Sequence, residues 1–270
     1  MDEVQSHYGE DAGLARAIAA RLEAAGKDMA HLTVKDLRAV DEFHIRGHAA
    51  TLEVASKLNL TPSAHVLDIG SGLGGPARAL AQLHGCHVTG VDLTPSYCDA
   101  ASEMSRWVGL EDQVCFRQGD ATRLPFADAS FDAALTIHVA MNIAAKDRMY
   151  AEAHRVLKPG GRFVIYDVVQ GEGGEVLFPV PWAREPAISH LVTPQQMNTL
   201  LTAAGFTILE MSDSTQESAD WFARMAGPSG GAPVVSLREV LGEDFPAMMR
   251  NQVRNLKDER IRTVMWVCRA

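Results

Sequence analysis

A glycine-rich turn between an apolar strand and a helix is the feature that most constrains the fold of this chain. The run VLDIGSGLGG over residues 66–75 places glycines at positions 70, 72 and 75, directly after a predicted strand. Glycine tolerates the positive φ that a tight strand-to-helix turn needs, and it lets a ligand approach the bare backbone. The same spacing fits the dinucleotide fingerprint. The turn alone therefore predicts an α/β fold that binds some nucleotide.

Strand and helix patterns alternate on either side of this turn. Strands are predicted at 65–70, 87–92, 114–119, 131–139 and 162–169, and helices at 75–84, 95–108 and 146–157. The strands are apolar almost throughout, which is typical of a sheet covered on both faces. Right-handed crossovers then give a doubly wound, mostly parallel sheet. Two later strands are predicted at 206–212 and 261–268, and the connection before the last one suggests that it runs antiparallel.

The regions outside this alternation predict an N-terminal cap, a long loop and a helical insertion. Residues 12–25 and 47–58 carry apolar positions at helical spacing, so we expect an N-terminal helical cap over residues 1–60. The α/β domain would then cover 61–270. Within it, the Gly- and Pro-rich stretch 170–192 predicts a long substrate loop, because long loops in compact domains are usually functional. Residues 218–258 predict a helical insertion with a Gly/Pro break at 227–233.

Composition limits the partners that this chain is expected to have. The formal charge is −9 and no Lys/Arg cluster is present, which argues against nucleic acid as a partner. No apolar run of roughly 18 residues exists, so we expect no membrane span. The N-terminal run MDEVQSHY lacks the basic and apolar regions of a signal peptide, which favours a cytoplasmic location. The four cysteines form no CxxC pair, so no metal is expected.

Asp68, two residues before the first glycine, discriminates between the ligands that the turn can accept. A dinucleotide places its pyrophosphate at this turn, and a carboxylate there would repel it. A ligand that carries a cationic amine and a sulfonium would instead be attracted. S-adenosyl-L-methionine has both groups, so Asp68 favours it as the cofactor over a nicotinamide nucleotide.

Two further aspartates follow the next two strands. Asp92 lies 22 residues after Gly70 and is placed to accept hydrogen bonds from the ribose hydroxyls, although it is also suited to cap the helix that begins at Pro95. Asp120 can accept from the adenine amine while the backbone of Ala121 donates to a ring nitrogen, and a turn role is its alternative. The expected cofactor-binding set is Asp68, Gly70, Ser71, Gly72, Asp92, Leu93, Asp120, Ala121 and His138.

The segment after the fourth strand is where the donor methyl group would face its acceptor. His138 is suited to contact the cofactor or to transfer a proton, with a structural hydrogen bond as the equal alternative. Asn142 is a candidate substrate amide or a helix cap. Other side chains suited to accept a proton are His44, Tyr166 and Asp167. The expected catalytic set is His44, His138 and Tyr166.

The motifs together resemble one enzyme family. The runs VLDIGSGLGG, VTGVDLT, QGDATRLPF, SFDAALTIH and VLKPGGRFVIYD, in this order, are similar to those of class I S-adenosylmethionine-dependent methyltransferases. The resemblance covers roughly residues 60–215. It implies a Rossmann-like, seven-stranded sheet with the last strand antiparallel, and it makes residues 61–270 the methyltransferase domain. It also implies cofactor roles for residues that match position by position, namely Asp68, Gly70, Gly72, Asp92, Asp120 and Ala121.

A narrower resemblance points to an acceptor class. The runs DEFHIRG, GGP, MNI and PVPWA look like those of sarcosine/dimethylglycine-type N-methyltransferases, which act on small molecules. This likeness implies N-methylation of an amine by in-line displacement, with Arg184 or Arg46 as partner of an acceptor carboxylate. Trp182 would face a methylated ammonium through cation–π attraction, or anchor an apolar lid.

Other functions fit the same motifs. Related patterns occur in sterol and quinone C-methyltransferases and in small-molecule O-methyltransferases, so C- or O-methylation is the alternative. A non-catalytic cofactor-binding partner protein is the alternative of another class, because an intact glycine turn does not require an intact acceptor pocket. We expect a small-molecule methyl acceptor as the partner, and a homodimer is compatible with the sequence.

Overall fold

The computed structural model describes residues 13–42, 44–225 and 242–270. Within these residues, three α-helices precede the sheet: α1 Leu14–Ala24, α2 Val34–Asp41 and α3 His48–Lys57. The first of these buries Leu14, Ile18 and Leu22, which recur every four residues and so form one apolar stripe. Residues 1–12 and 43 of the expected cap lie outside the described residues, and the division of the chain at residue 60 stays a prediction.

Seven strands form a single sheet in the order β3-β2-β1-β4-β5-β7-β6. Their bounds are β1 His65–Ile69, β2 His87–Asp92, β3 Val114–Gln118, β4 Phe131–Ile137, β5 Leu157–Gln170, β6 Thr207–Asp213 and β7 Ile261–Arg269. The first five strands pair in parallel, whereas β7 is antiparallel to both β5 and β6. The predicted doubly wound sheet with an antiparallel last strand is therefore confirmed.

Among the described residues that follow β1, six α-helices flank the sheet: α4 Gly75–His84, α5 Pro95–Trp107, α6 Lys146–Val156, α7 Pro194–Ala203, α8 Thr215–Met225 and α9 Phe245–Lys257. One apolar cluster joins α6 and α7 to one sheet face, and a second joins α3 and α4 to the other. The central strands are thus buried on both faces, as their apolar sequences predict. The predicted Gly/Pro break at 227–233 lies outside the described residues.

The exposure of one edge strand and the bounds of two central strands differ from what the sequence pattern predicts. The edge strand β6 is mostly exposed, because no helix covers it as fully as the central strands. The fourth strand ends at Ile137 rather than at residue 139, because His138 has φ +54°, which breaks the extended backbone. The fifth strand begins earlier than predicted, since Leu157 already pairs with Phe131 across a register shift.

The helical N-terminal segment and the loop 171–192 meet above the carboxyl ends of the parallel strands. Arg78 of α4 donates from Nη2 to Asp41 Oδ2 at the end of α2, at 2.8 Å, and both side chains are fully buried. A Cβ atom on Gly75 would lie 2.2 Å from the Asp41 carbonyl oxygen, so glycine is required for this close approach. From the loop, Val180 and Trp182 pack in one apolar cluster with residues that follow α2 and lie on α9.

Among the helices of residues 13–42, 44–225 and 242–270, none combines the length and the apolar content that crossing a bilayer requires.

Candidate active site

A cavity of about 550 Å³ opens at the carboxyl ends of the parallel strands, a volume typical of small-molecule sites. It lies where β1 has β2 on one side and β4 on the other, which is the switch point at which open α/β sheets bind ligands. Its walls come from the glycine turn, the ends of β2 and β4, the segment after α2, the loop 171–192 and α9. Every residue of the expected cofactor set lines this cavity.

Asp92 joins the end of β2 to the glycine turn. Its Oδ2 accepts the Gly72 N–H at 2.8 Å, and its Oδ1 accepts the Thr94 N–H at 2.9 Å, just before α5 begins. Burial raises the pKa of Asp92, and these backbone donors oppose that rise. Each carboxylate oxygen keeps a second lone pair, so the carboxylate can hold the turn and still accept from a ligand hydroxyl.

Asp68 is a buried carboxylate that faces the cavity with one oxygen unsatisfied. The side chain is 2% exposed, and Oδ2 has no hydrogen-bond partner among the described residues. Burial, together with the nearby Asp92 carboxylate, raises the pKa of Asp68 to about 7. A cation bound beside it would supply the missing partner. The site therefore fits the ammonium and sulfonium of S-adenosylmethionine.

The turn itself leaves room for a ligand only because it carries glycine. Gly70 has φ +76°, and a Cβ atom there would lie 2.3 Å from Cγ2 of Val139. A side chain at this position would therefore push the end of β4 away from the cavity. The neighbouring Ser71 hydroxyl is buried and has no partner within the described part of the chain, so it is available to a ligand.

Asp120 and Ala121 lie on the adjoining wall, after β3. The Asp120 Oδ1 accepts from both the backbone N–H and the hydroxyl of Thr122, each at 2.8 Å. This is the turn role that the sequence left open, and it coexists with a position in the cavity wall. Both residues are partly accessible, as an adenine contact requires.

His138 and His44 are neighbours in the cavity wall. Their rings lie 6.0 Å apart in an edge-on arrangement, and the His138 ring is 5.0 Å from that of Tyr166. The backbone N–H of His138 donates to the Tyr166 carbonyl at 2.8 Å. Burial lowers the pKa of His44 to about 4 and that of His138 well below its ordinary value, so both rings are neutral near pH 7.

Tyr166 of the expected catalytic set and Asp167, the further candidate proton acceptor, do not line the cavity. The Tyr166 side chain is fully buried, with its hydroxyl 3.4 Å from Ser218 Oγ. The Asp167 carboxylate is also buried and accepts the N–H of Val168 at 2.8 Å. Because β5 extends beyond both residues, their side chains lie within the core on either face of the sheet rather than at its carboxyl edge.

The structure places two of the three expected substrate residues in the cavity wall and the third outside it. Asn142 lines the cavity, but its amide nitrogen donates to the carbonyls of Trp182, at 2.7 Å, and Ile188, at 3.0 Å, so it ties down the loop. Trp182 also lines the cavity, yet it is 1% exposed and donates from Nε1 to Ser189 Oγ at 3.0 Å. This geometry matches the lid-anchor interpretation. Arg184 does not line the cavity and pairs with Asp244 at 3.1 Å.

The cavity wall also contains residues that the sequence analysis did not single out, among them the charged or polar side chains of Asp41, Arg148, His190 and Gln252. Gln252 is buried on α9, about 180 residues from the glycine turn in sequence. No local motif marks it, because the contact depends on how α9 packs against the loop. Asp41 could have been suspected from the run DEFHIRG, which the resemblance already singled out.

Comparison with known proteins identifies the family. A family model described as a methyltransferase domain matches residues 67–165. The methyltransferase GfsG of Streptomyces halstedii is 31% identical over 221 residues, which cover 80% of this chain and 77% of that protein. This chain is a class I S-adenosylmethionine-dependent methyltransferase. The matched motifs are those on which the sequence resemblance was based.

Other relatives of this methyltransferase are named for different activities. Sterol 24-C-methyltransferase ERG6B of Gibberella zeae is 39% identical over 114 residues, but the match covers 42% of this chain and only 30% of that protein. An O-methyltransferase of Pyrenophora dematioidea is 31% identical over 171 residues, which cover 62% of each chain. The chain thus spans about a third of the length of the sterol enzyme that it matches.

Solved structures show the same fold for this methyltransferase. Geranyl diphosphate methyltransferase in complex with S-adenosylmethionine superposes with a TM-score of 0.65 at 18% identity, covering 83% of this chain and 85% of that one. Phosphoethanolamine N-methyltransferase 2 of Haemonchus contortus, with the same cofactor, gives 0.68 at 20% identity, covering 84% and 53%. S-adenosylmethionine is the cofactor of this family, and the orphan oxygen of Asp68 and the glycine turn fit it.

Proposed function

We propose that this methyltransferase methylates a hydroxyl group on a largely apolar small molecule, with His44 as the general base. The observation that carries the proposal is the composition of the wall beyond the glycine turn, which we call the acceptor side. It is formed by Met141, Pro181, Trp182, Ala187 and Ile188, together with His44 and Gln252. Apolar walls with a few polar groups are typical of small-molecule sites, and apolar surface of an acceptor gains free energy when these walls bury it.

The charges around this side favour a neutral acceptor. Arg184 and Arg46, the two expected partners of an acceptor carboxylate, pair with Asp244 and Glu53 at 3.1 Å and 2.7 Å. Neither arginine lines the cavity. Arg148 does line it, but this residue lies on α6 and is exposed. N-methylation of a carboxylate-bearing amine, expected from the narrower resemblance, therefore has no support from Arg184.

His44 has the protonation state that a base needs. Its pKa is lowered to about 4 by burial, so the ring is neutral and able to accept a proton throughout the physiological range. The cofactor supplies an electrophilic methyl group on a sulfonium. An O–CH₃ bond then forms as the S–CH₃ bond breaks, the electron pair of that bond stays on sulfur, and His44 takes the hydroxyl proton. The walls hold donor and acceptor in line, an effect worth up to roughly 7–11 kcal/mol.

The test is a methyl-transfer assay with cofactor labelled in its methyl group. The acceptor panel contains apolar alcohols, phenols and sterols, small amines including sarcosine and dimethylglycine, and quinones. We expect label in a methyl ether. Label that appears only in an amine or on carbon would contradict the proposal.

The same assay tests the base. His44→Gln is expected to lower kcat roughly 100-fold, the usual size of general-base effects, and to leave the calorimetric Kd of S-adenosylmethionine within about twofold. Equal activity of His44→Gln and the unaltered protein would remove His44 from the reaction.

A further inference from the structure

The His44 ring is held by a network between the segment that joins α2 to α3 and the start of α3. His44 Nε2 lies 2.9 Å from the Gly47 carbonyl oxygen and 3.1 Å from Thr51 Oγ1. Thr51 Oγ1 in turn lies 2.5 Å from Glu42 Oε2, and the other carboxylate oxygen of Glu42 is 2.9 Å from Nδ1 of His48. Glu42, His44 and Thr51 are all buried.

This network determines which ring nitrogen of His44 carries the proton. A carbonyl oxygen only accepts, so the 2.9 Å contact with Gly47 is a hydrogen bond only while the proton is on Nε2. Thr51 can accept from the same N–H only if its own hydroxyl proton points elsewhere, and the contact with Glu42 directs it there. The lone pair of the ring is then on Nδ1. Because His44 lines the cavity, the nitrogen left to take a substrate proton is Nδ1.

We propose that Glu42 and Thr51 are positioning residues that hold His44 with its proton on Nε2 and stabilise the imidazolium that forms when Nδ1 takes the proton. The proposal rests on the proposed role of His44 as base. Glu42 Oε2 lies 3.4 Å from His44 Nε2, so a carboxylate stands behind the ring on the side away from the lone pair. Arrangements of a base held by a third group recur in enzymes that activate a nucleophile.

Charges from several elements act on Glu42. Burial and the adjacent Asp41 raise the pKa of Glu42 to about 8, while Thr51, Arg38 and Arg78 act in the opposite direction. The groups that face His44 are His48, Arg46 and, in the cavity wall, His138. Above pH 8 Glu42 is charged and stabilises the imidazolium, whereas below pH 8 it is neutral and stabilises it less. The chemical step should therefore become faster as the pH rises through about 8.

The first experiment needs no acceptor. Long-range proton–nitrogen NMR on protein labelled with ¹⁵N in histidine reports the tautomer of each ring, and His44→Gln assigns the His44 signals. We expect His44 to be protonated on Nε2 in the unaltered protein. In Glu42→Gln the Thr51 hydroxyl loses its carboxylate acceptor and can turn its proton toward Nε2, so we expect a mixture of tautomers. Thr51→Val removes this competing hydroxyl and leaves the Gly47 carbonyl as the acceptor, so it should keep the single tautomer, also when combined with Glu42→Gln. A ring protonated on Nδ1 in the unaltered protein, or a single Nε2 tautomer in Glu42→Gln, would overturn the proposal.

The second experiment uses the acceptor found in the labelling panel. Glu42→Gln should lower kcat at least tenfold at pH 9, leave KM unchanged and abolish the rise of kcat through pH 8. Glu53→Gln is the matched control, because Glu53 is a carboxylate of α3 that pairs with Arg46 outside the cavity wall. It should behave like the unaltered protein.

The outcomes separate this inference from the proposed function. If His44→Gln loses activity and Glu42→Gln keeps both its activity and the pH dependence, the positioning role is wrong while the base stands. If His44→Gln is fully active, the base is wrong, and the positioning role fails with it. If no acceptor is found, the NMR experiment still decides whether Glu42 and Thr51 set the tautomer.

Discussion

The two sides of the cavity are built in different ways. The side that holds the cofactor, which we call the cofactor side, comes from the glycine turn and the ends of neighbouring strands, with Asp68, Gly72 and Asp92 within 25 consecutive residues. The acceptor side brings together His44, Trp182 and Gln252, which lie on three segments far apart in the chain. Local backbone geometry thus determines the first side, whereas the packing of a cap, a loop and a late helix determines the second.

The two sides also differ in charge. On the cofactor side the pKa values of Asp68 and Asp92 are raised by burial, so these carboxylates are poised to gain from a cationic ligand. On the acceptor side the pKa of His44 is lowered by burial, which keeps the ring neutral. A positive cofactor and a neutral, apolar acceptor are complementary to these two environments. The two sides of one cavity can therefore distinguish the cofactor from the acceptor by charge as well as by position.

The largest effect is expected on the cofactor side, at Asp92. Asp92→Asn removes a charged acceptor from the Gly72 N–H and, in the role that we propose for Asp92, from the ribose hydroxyls. Hydrogen bonds to charged groups are worth about 1.5–3 kcal/mol, so the Kd of S-adenosylmethionine measured by calorimetry should rise at least tenfold. Asp99→Asn, on the exposed face of α5, is the matched control and should leave Kd unaltered. An unchanged Kd in Asp92→Asn would remove the ribose assignment.

The cofactor side could be predicted because its signals are local. The three strand-end aspartates and the glycine turn are within a few residues of predicted strand ends, and parallel strands bring their carboxyl ends to one edge. The antiparallel final strand was predictable from the type of connection that precedes it. Even the ambiguity at Asp92 between ribose ligand and helix cap has a physical reason, since the carboxylate bonds the turn and the residue before α5 at once.

A pH dependence of cofactor affinity is the second test of the comparison. The pKa of Asp68 is about 7 in the free protein, and a bound cation favours its charged form. The affinity for S-adenosylmethionine is therefore highest above pH 7 and falls as the pH drops through 7. We expect a fall of roughly tenfold between pH 7.5 and pH 6. The α-amino group of the cofactor stays mostly protonated in this range, so its own titration does not cause the fall. Calorimetry in buffers of different ionisation enthalpy should show proton release on binding at pH 6. Asp68→Asn should weaken cofactor binding and remove most of the pH dependence of Kd. If the variant kept the pH dependence of the unaltered protein, the titrating group would be one other than Asp68.

The acceptor side could not be predicted to the same degree, because its residues are selected by long-range packing. The sequence placed Arg184 in the loop and suggested a carboxylate partner, but the folded loop pairs it with Asp244 just before α9. The sequence also placed Tyr166 at a strand end, whereas β5 runs on to Gln170 and keeps that side chain in the core. Gln252 has no motif around it. These outcomes depend on where α9 docks, which no pattern within one segment specifies.

The smallest effect is expected on the acceptor side and concerns Gln252 and Arg184. Gln252→Leu removes a buried carboxamide from the wall without changing the cofactor side, so KM for the acceptor should rise a fewfold, consistent with the loss of about 1 kcal/mol for a neutral hydrogen bond. The Kd of S-adenosylmethionine should stay constant. Arg184→Ala is the control from the same region, and it should change neither quantity by more than about twofold, because exposed ion pairs contribute little. If Arg184→Ala raised the acceptor KM and Gln252→Leu did not, the loop arginine would bind the acceptor after all, and a carboxylate-bearing amine would become the better substrate class. Equal weakening of cofactor and acceptor by Gln252→Leu would instead show that the two sides of the cavity are not independent.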